Sequence, residues 1–210
     1  MEILLHNNDI CLYKSNTIIL GTPKKTKNSL NEELEKLNIS ILNDDFSFST
    51  NFVKTELENY NVNVNSFGKL VDMIDKSIDN LSISEKYFLK IILKMPQKDG
   101  VIVIDNYLTY LDKAKRISIF DYAKQNNIVI ITYAETIEDD YFFDGYIIAF
   151  MDEKVAISGP AKAVLEEDKI LKRLGYRLPF VVDLSNQLKL YGMVNKTCYS
   201  DDELVGELWK

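Results

Sequence analysis

The sequence predicts an α/β domain, a mostly parallel sheet flanked by helices, and three observations carry that prediction. Short, nearly continuous apolar runs rich in Ile and Val recur at 17–20, 39–42, 101–104, 128–131 and 146–150. Runs of this length fit strands buried on both faces of a parallel sheet. Stretches of helical spacing separate them. The chain has 210 residues and is 46% hydrophobic, enough for one domain with a small appendage and a real core.

The first dozen residues and 154–158 read as antiparallel edge pieces around the parallel strands. Residues 28–37 read as a helix with Glu32, Glu33 and Glu35 toward solvent. Residues 82–95 place Phe88, Leu89, Ile91, Ile92 and Met95 mostly on one stripe, and Pro96 stops the helix. Residues 113–125 form another helix, closed by the turn Asn126-Asn127. Gly145 and Asp152-Glu153 mark turns around the last main strand. Beyond Gly159-Pro160 the chain turns helical, at 161–166 and 168–174, with Gly175 past the end. Pro179 opens a further helix that Gly192 closes, the expected placing of Pro and Gly at helix boundaries. The tail from Asn195 is acidic, and Trp209 is expected to dock onto the chain itself. The boundaries drawn are an α/β domain at 1–158, with a reduced helical region at 53–96, and a helical extension at 159–210.

Bulk properties exclude several functions. A net charge of −7, with no dense Lys/Arg stretch, argues against nucleic acid as a partner. Cys11 and Cys198 have no metal-type spacing and read as reduced thiols of the cytosol. Residues 1–6 carry no leader pattern, and the longest apolar runs fall far short of a membrane span, so a cytoplasmic chain is expected. His6 is the only histidine, which leaves no Ser-His-Asp or Cys-His arrangement. No metal site is read. Asp44-Asp45, Asp139-Asp140 and Asp152-Glu153 read as solvated turns or helix-start charges.

The motifs begin after the first buried strand. Gly21-Thr-Pro-Lys-Lys-Thr26-Lys27-Asn28 stands where a phosphate-binding loop reads G-x-x-x-x-G-K-[ST]. Such a loop works because successive backbone N–H groups and a helix N-terminus face the phosphate. Gly21 and Lys27 keep the spacing. Thr26 replaces the second glycine with a β-branched residue. Asn28 replaces the metal-binding hydroxyl, with Ser29 adjacent. The vestigial nucleotide-binding set is therefore Gly21, Lys27, Asn28, Ser29 and Asp105. Mg-ATP is the one cofactor this set admits, and weakly.

The downstream motifs, by their order, give the loop its context. Leu81-Ser82-Ile83-Ser84-Glu85-Lys86 opens a helix; then come Val101 to Asp105, Leu111-Asp112, and Ile130-Ile131-Thr132-Tyr133. This succession resembles the ATP-binding subunits of ABC transporters. The signature L-S-G-G-Q-[KR] matches at Leu81, Ser82 and Lys86. The strand-acid pattern continuing D-E-P-T-x-x-L-D matches at Asp105, Thr109, Leu111 and Asp112. Nearer the C-terminus, Ile157-Ser-Gly159-Pro160, Leu171-Lys-Arg-Leu174-Gly175-Tyr-Arg-Leu178-Pro179 and residues 184–192 resemble the C-terminal extension of energy-coupling-factor importer ATPases. The resemblance covers roughly residues 17–192.

The resemblance implies a P-loop NTPase-like fold of the ABC ATPase type. It also implies partners: a paralogous ABC ATPase or a second copy, and a transmembrane subunit that holds the chain at the inner face of the membrane. Ser82, Ile83, Ser84, Leu111 and Asp112 become dimer-interface candidates. The departures point away from catalysis. The family's catalytic Glu is Asn106, which accepts no proton from water. Its switch His is Tyr133, and its signature glycines are Ile83 and Ser84. Gly21 has only 20 residues before it, so much of the antiparallel part is expected to be missing. Tyr13, where a base-stacking aromatic would stand, reads as a packed side chain; the Tyr-rich patch of Tyr107, Tyr110, Tyr133 and Tyr141 reads as ordinary packing, with a surface where the catalytic pocket used to be as the alternative. The expected role is a non-hydrolytic structural or regulatory partner of an active transporter ATPase. An atypical weak ATPase and a scaffold no longer tied to transport are the alternatives.

Overall fold

The structure, a computed structural model, describes residues 2–7, 10–137 and 140–209. Asp139 of the expected Asp139-Asp140 turn lies outside the described residues. In chain order the elements are β1 (Ile3–Asn7), β2 (Ile10–Tyr13), β3 (Thr17–Leu20), α1 (Lys24–Lys36), β4 (Ser40–Leu42) and α2 (Val53–Asn59). Next come α3 (Ile83–Lys94), β5 (Val101–Asp105), α4 (Lys113–Gln125), β6 (Val129–Ala134), β7 (Tyr146–Met151) and β8 (Lys154–Pro160). The chain ends in α5 (Ala161–Glu166), α6 (Asp168–Arg173), α7 (Phe180–Leu190) and α8 (Asp201–Leu208). Two compact units share these elements, one of Met1–Lys27 with Tyr133–Lys210 and one of Asn28–Thr132.

In the first unit, β1 and β2 form an antiparallel hairpin. Every residue of β3 is buried, and β3 runs parallel to β7, with Ile18 opposite Ile147 and Leu20 opposite Ala149. β8 adds antiparallel to β7, with an irregularity between Ala149 and Phe150. The ends of α6 and α7 are set by glycines. After α6 the N–H of Gly175 bonds Lys172 O at 3.1 Å and that of Tyr176 bonds Leu171 O at 3.0 Å, with Gly175 at φ +86°. This is the Schellman arrangement that a left-handed glycine permits. Gly192 closes α7 in the same way, through Met193 N to Leu188 O at 3.0 Å.

The acidic tail is a helix that sequence patterning does not separate from a solvated segment. Ser200 caps α8 by accepting from Glu203 N at 3.2 Å, and Asp201, Asp202 and Glu203 sit in the first turn, where the helix dipole favours anions. Val194, Cys198 and Leu204 form a small core with Val181, Leu184 and Leu188. Trp209 does not dock: it is 85% exposed, because α8 turns Leu204 and Glu207 inward and ends before Trp209.

In the second unit, β4 and β5 pair in parallel, Ser40 opposite Ile102 and Leu42 opposite Ile104. The stripe read on α3 is its buried face: Phe88, Leu89, Ile91 and Ile92 are essentially inaccessible. Phe67 packs edge-on to Phe88 at 6.5 Å and tilts against Tyr122 at 4.3 Å. The region after α2 holds only 3-10 turns, Val64–Ser66, Gly68–Leu70 and Ile78–Asn80. Glu56 of α2 is fully buried, and its Oε1 accepts from Ser49 Oγ at 2.8 Å and Thr50 N at 2.5 Å, which ties the preceding loop to the helix.

The largest departure from the expected boundaries is α1. It begins at Lys24, well before residue 28. Pro23 supplies a helix-compatible φ and has no N–H to satisfy, and Lys27 N already bonds Pro23 O at 2.9 Å.

Candidate functional site

The early start of α1 reshapes the phosphate-loop position. A cradle needs free N–H groups facing inward from an open loop. Here the loop between β3 and α1 is reduced to Gly21, Thr22 and Pro23, and the Lys27 amide is taken up by the helix. Gly21 keeps the left-handed backbone that a glycine supplies, at φ +63°. Asn28 and Ser29 are exposed positions of the helix. The first turn of α1 holds no acidic residue. Lys24, Lys25 and Lys27 stand instead at the end whose dipole favours anions.

Two tyrosines of the same unit meet this loop. Lys27 Nζ lies over the ring of Tyr133, 5.2 Å from its centroid. That is a cation–π contact with the residue at the switch-His position, and Tyr133 itself is buried. Tyr176, at the end of the α6 cap, reaches Gly21: a Cβ built on Gly21 would stand 1.9 Å from Tyr176 Oη and 3.4 Å from Phe150 O. The Tyr176 hydroxyl donates to Phe150 O at 3.2 Å, and burial raises the pKa of its phenol.

In the second unit, β5 ends at Asp105. Asn106 succeeds it in a left-handed conformation, φ 49°, and its buried Oδ1 has no hydrogen-bond partner among the described residues. An asparagine tolerates that backbone, but its amide carries no base. The 3-10 turn Tyr107–Tyr110 comes next, with Thr109 Oγ1 donating to Asn106 O at 2.7 Å.

The dimer-interface candidates come together within this unit. Ser82 caps α3 in a full capping box: Glu85 N donates to Ser82 Oγ at 3.2 Å, and Ser82 N donates to Glu85 Oε2 at 2.8 Å. Lys76 Nζ adds an ion pair to Glu85 Oε1 at 2.7 Å. Lys76 first, and the Ser82 amide second, hold the Glu85 carboxyl down at about 2. Asp112 caps α4 by accepting from Lys115 N at 3.0 Å and pairs with Lys115 Nζ, and these contacts lower its pKa. Ser84 and Asp112 then meet, Asp112 N donating to Ser84 Oγ at 3.4 Å. Ile83 is 67% exposed, whereas Leu111 is buried in the core.

The four tyrosines read as a patch are divided between the units, two in each. Tyr107 and Tyr110 flank Tyr87, at 4.8 and 4.4 Å between centroids, and the Tyr107 hydroxyl donates to Asp44 Oδ1 at 2.8 Å. Lys90 Nζ sits among these rings, 5.6 Å from Tyr87 and 6.0 Å from Phe46, Phe48 and Tyr107. Tyr133 and Tyr141 belong to the other unit, where Tyr141 packs edge-on to Phe142 at 5.5 Å. Tyr13 packs on Tyr146 at 4.7 Å. Sequence reasoning missed Tyr176 and Lys90. Tyr176 lay inside the Leu-x-x-Leu-Gly-x-x-Leu-Pro run as a variable position. The Lys90 cluster had a signal, because Tyr87 and Lys90 are one turn apart on α3.

No family model matches the sequence. The chain is 28% identical over 146 residues to the energy-coupling factor transporter ATP-binding protein EcfA1 of Lactobacillus delbrueckii subsp. bulgaricus, covering 67% of this chain and 51% of that one. It is 28% identical over 149 residues to a putative ABC transporter ATP-binding protein of Pyrococcus abyssi, covering 68% and 53%. The match thus spans about half the length of these curated relatives. Among solved structures, an ATP-binding cassette of an ABC transporter aligns with a TM-score of 0.58 at 13% identity, over 78% of this chain and 89% of that one. CbiO1 of Clostridium perfringens, part of the ABC transporter complex CbiONQ, aligns with a TM-score of 0.53 at 16% identity, over 79% and 86%. In sequence the chain is ABC transporter ATP-binding-subunit-like, and its fold is that of ABC ATPase domains, a mixed α/β architecture with a mainly parallel sheet. Among the described residues no helix is long and apolar enough to cross a membrane.

Proposed function

We propose that this protein is a non-hydrolytic member of a transporter assembly. It acts as a structural or regulatory partner of an active ABC ATPase, held at the inner face of the membrane through a transmembrane subunit. The observation that carries the reading is the replacement of two of the family's catalytic residue types, one in each unit. Asn106 offers an amide where a base is needed, and Tyr133 offers a ring to Lys27 where a histidine would reach a terminal phosphate. Each change alone would cost a hydrolase orders of magnitude in rate. Together with Ile83 in place of a glycine, they leave the scaffold intact and the chemistry without its groups.

The partner side rests on what survives. Ser82, Ser84 and Asp112 are held in fixed relation by helix caps, and Ile83 projects to solvent beside them. That is an ordered surface with an exposed apolar residue at its centre. A paralogous ATPase is the partner proposed for it, and a second copy of this chain is the competing occupant.

Co-purification from the native cell extract tests the role: an active ATPase or a membrane subunit is expected to come with the chain. A clean monomer that retains neither would end this reading. The non-hydrolytic part is tested by Asn106→Glu. Restoring the carboxylate alone is expected to give no phosphate release above the unmodified chain, because the loop and the switch position are also changed. Appreciable turnover in that variant would overturn it.

A further inference from the structure

We infer that Tyr176 is an internal occupant of the phosphate-loop position, so that the chain's own C-terminal extension holds this loop closed to nucleotide. The inference rests on the reading of residues 21–28 as a former phosphate loop.

The geometry is specific. A glycine without a side chain lets another group come close to the backbone, and in a phosphate loop that group is the phosphate. In this chain that space holds the Tyr176 hydroxyl, 1.9 Å from where a Cβ would be. The tyrosine is placed there by three independent restraints. The cap of α6 fixes its backbone through Leu171 O and the left-handed Gly175. Its hydroxyl is anchored on Phe150 O, a carbonyl of β7, the strand paired with β3. Gly21 completes the contact from the other side.

A phenol fits this place without charge. A phenol is protonated at neutral pH, and burial pushes the Tyr176 hydroxyl further that way, so it donates to a carbonyl and does not mimic an anion. The lysine that would reach a phosphate is turned onto a second ring, that of Tyr133. The loop is therefore filled at Gly21 and its cation engaged at Lys27, both by tyrosines of its own unit. The contact lies near the surface: Gly21 is otherwise exposed and Tyr176 is half-buried, so removing the ring does not open the core.

The test is calorimetric titration of the full chain with Mg-ATP. Tyr176→Ala is expected to bind at least about tenfold more tightly than the unmodified chain, as for a loop that is open a tenth of the time or less with the plug in place. Tyr176→Phe, which keeps the ring and removes the crowding oxygen, is expected to show a smaller gain in the same direction. Adding Lys27→Ala to Tyr176→Ala is expected to abolish the gain. Equal affinity in the unmodified chain, Tyr176→Ala and Tyr176→Phe, or no binding by any of them, overturns the inference, as does a gain that survives loss of Lys27. Tight, Lys27-dependent binding to the unmodified chain would also overturn it, while leaving the cassette-like reading standing. The co-purification test of function uses the unmodified chain and is decided separately.

Discussion

The helices α1 and α3 begin in opposite ways. α3 opens with a serine cap, a reciprocating glutamate and a lysine that steadies the glutamate. α1 opens after a proline, with lysines and no acid in its first turn, against the sense of its dipole. The first is a start built for stability in its own right. The second gathers lysines at a helix start and follows a loop whose Gly21 is approached by the Tyr176 hydroxyl. Two of the residues that match the ABC ATPase motifs, Ser82 and Asp112, also cap helices and accept backbone N–H bonds whatever their other roles. The side chain of Asn106, read as a departure from those motifs, makes no cap hydrogen bond, and Tyr133 lies within β6.

Four substitutions probe that contrast. The largest effect is expected at Gly21. Gly21→Ala places a Cβ against Tyr176 Oη on a left-handed backbone and should destabilise the chain by about 2 kcal/mol in denaturant unfolding. Part of that cost should disappear in a Tyr176→Ala background; costs that simply add would mean the two residues do not touch.

At α3, Ser82→Ala should cost about 1 kcal/mol. The same box gives a pH signature. The Glu85 carboxyl lies at about 2 in the fold against an ordinary 4.5. Its stabilising contribution is therefore complete above pH 4.5 and is lost as pH falls toward 2. Removing the first cause of that shift, by Lys76→Met, should flatten stability across this window. An unchanged acid limb would show that the pair does not form.

The smallest effect is at the other start. Lys25→Glu puts an anion near the N-terminus of α1 and should stabilise the protein by about 0.5 kcal/mol. A loss instead would indicate that the lysine cluster already serves a bound anion.

Much of the fold was legible in the sequence because it is local. The buried strands around Ile18, Val103, Ile130 and Ile148 arise from apolar runs, and α3 and α4 arise from a cap residue at one end and a stop at the other. Gly175 and Gly192 announced the left-handed caps that close α6 and α7. The start of α1 was misplaced because a loop motif suggested an open loop where Pro23 permits a helix. Trp209 was misplaced because apolar character alone does not say which face of a short helix turns inward.

The sequence by itself determined the fold class, the resemblance to ABC ATPases, and the absence of a base at Asn106, since each depends on residue identity or on neighbours along the chain. Only the tertiary structure decided what meets Gly21 and Lys27. The approach of Tyr176 to Gly21, and of Lys27 to Tyr133, joins residues far apart in the chain, through strand pairing and a helix cap that no local pattern specifies. A glycine in a loop reads the same in sequence whether its open side faces a phosphate or a phenol, because the missing side chain records only that something comes close.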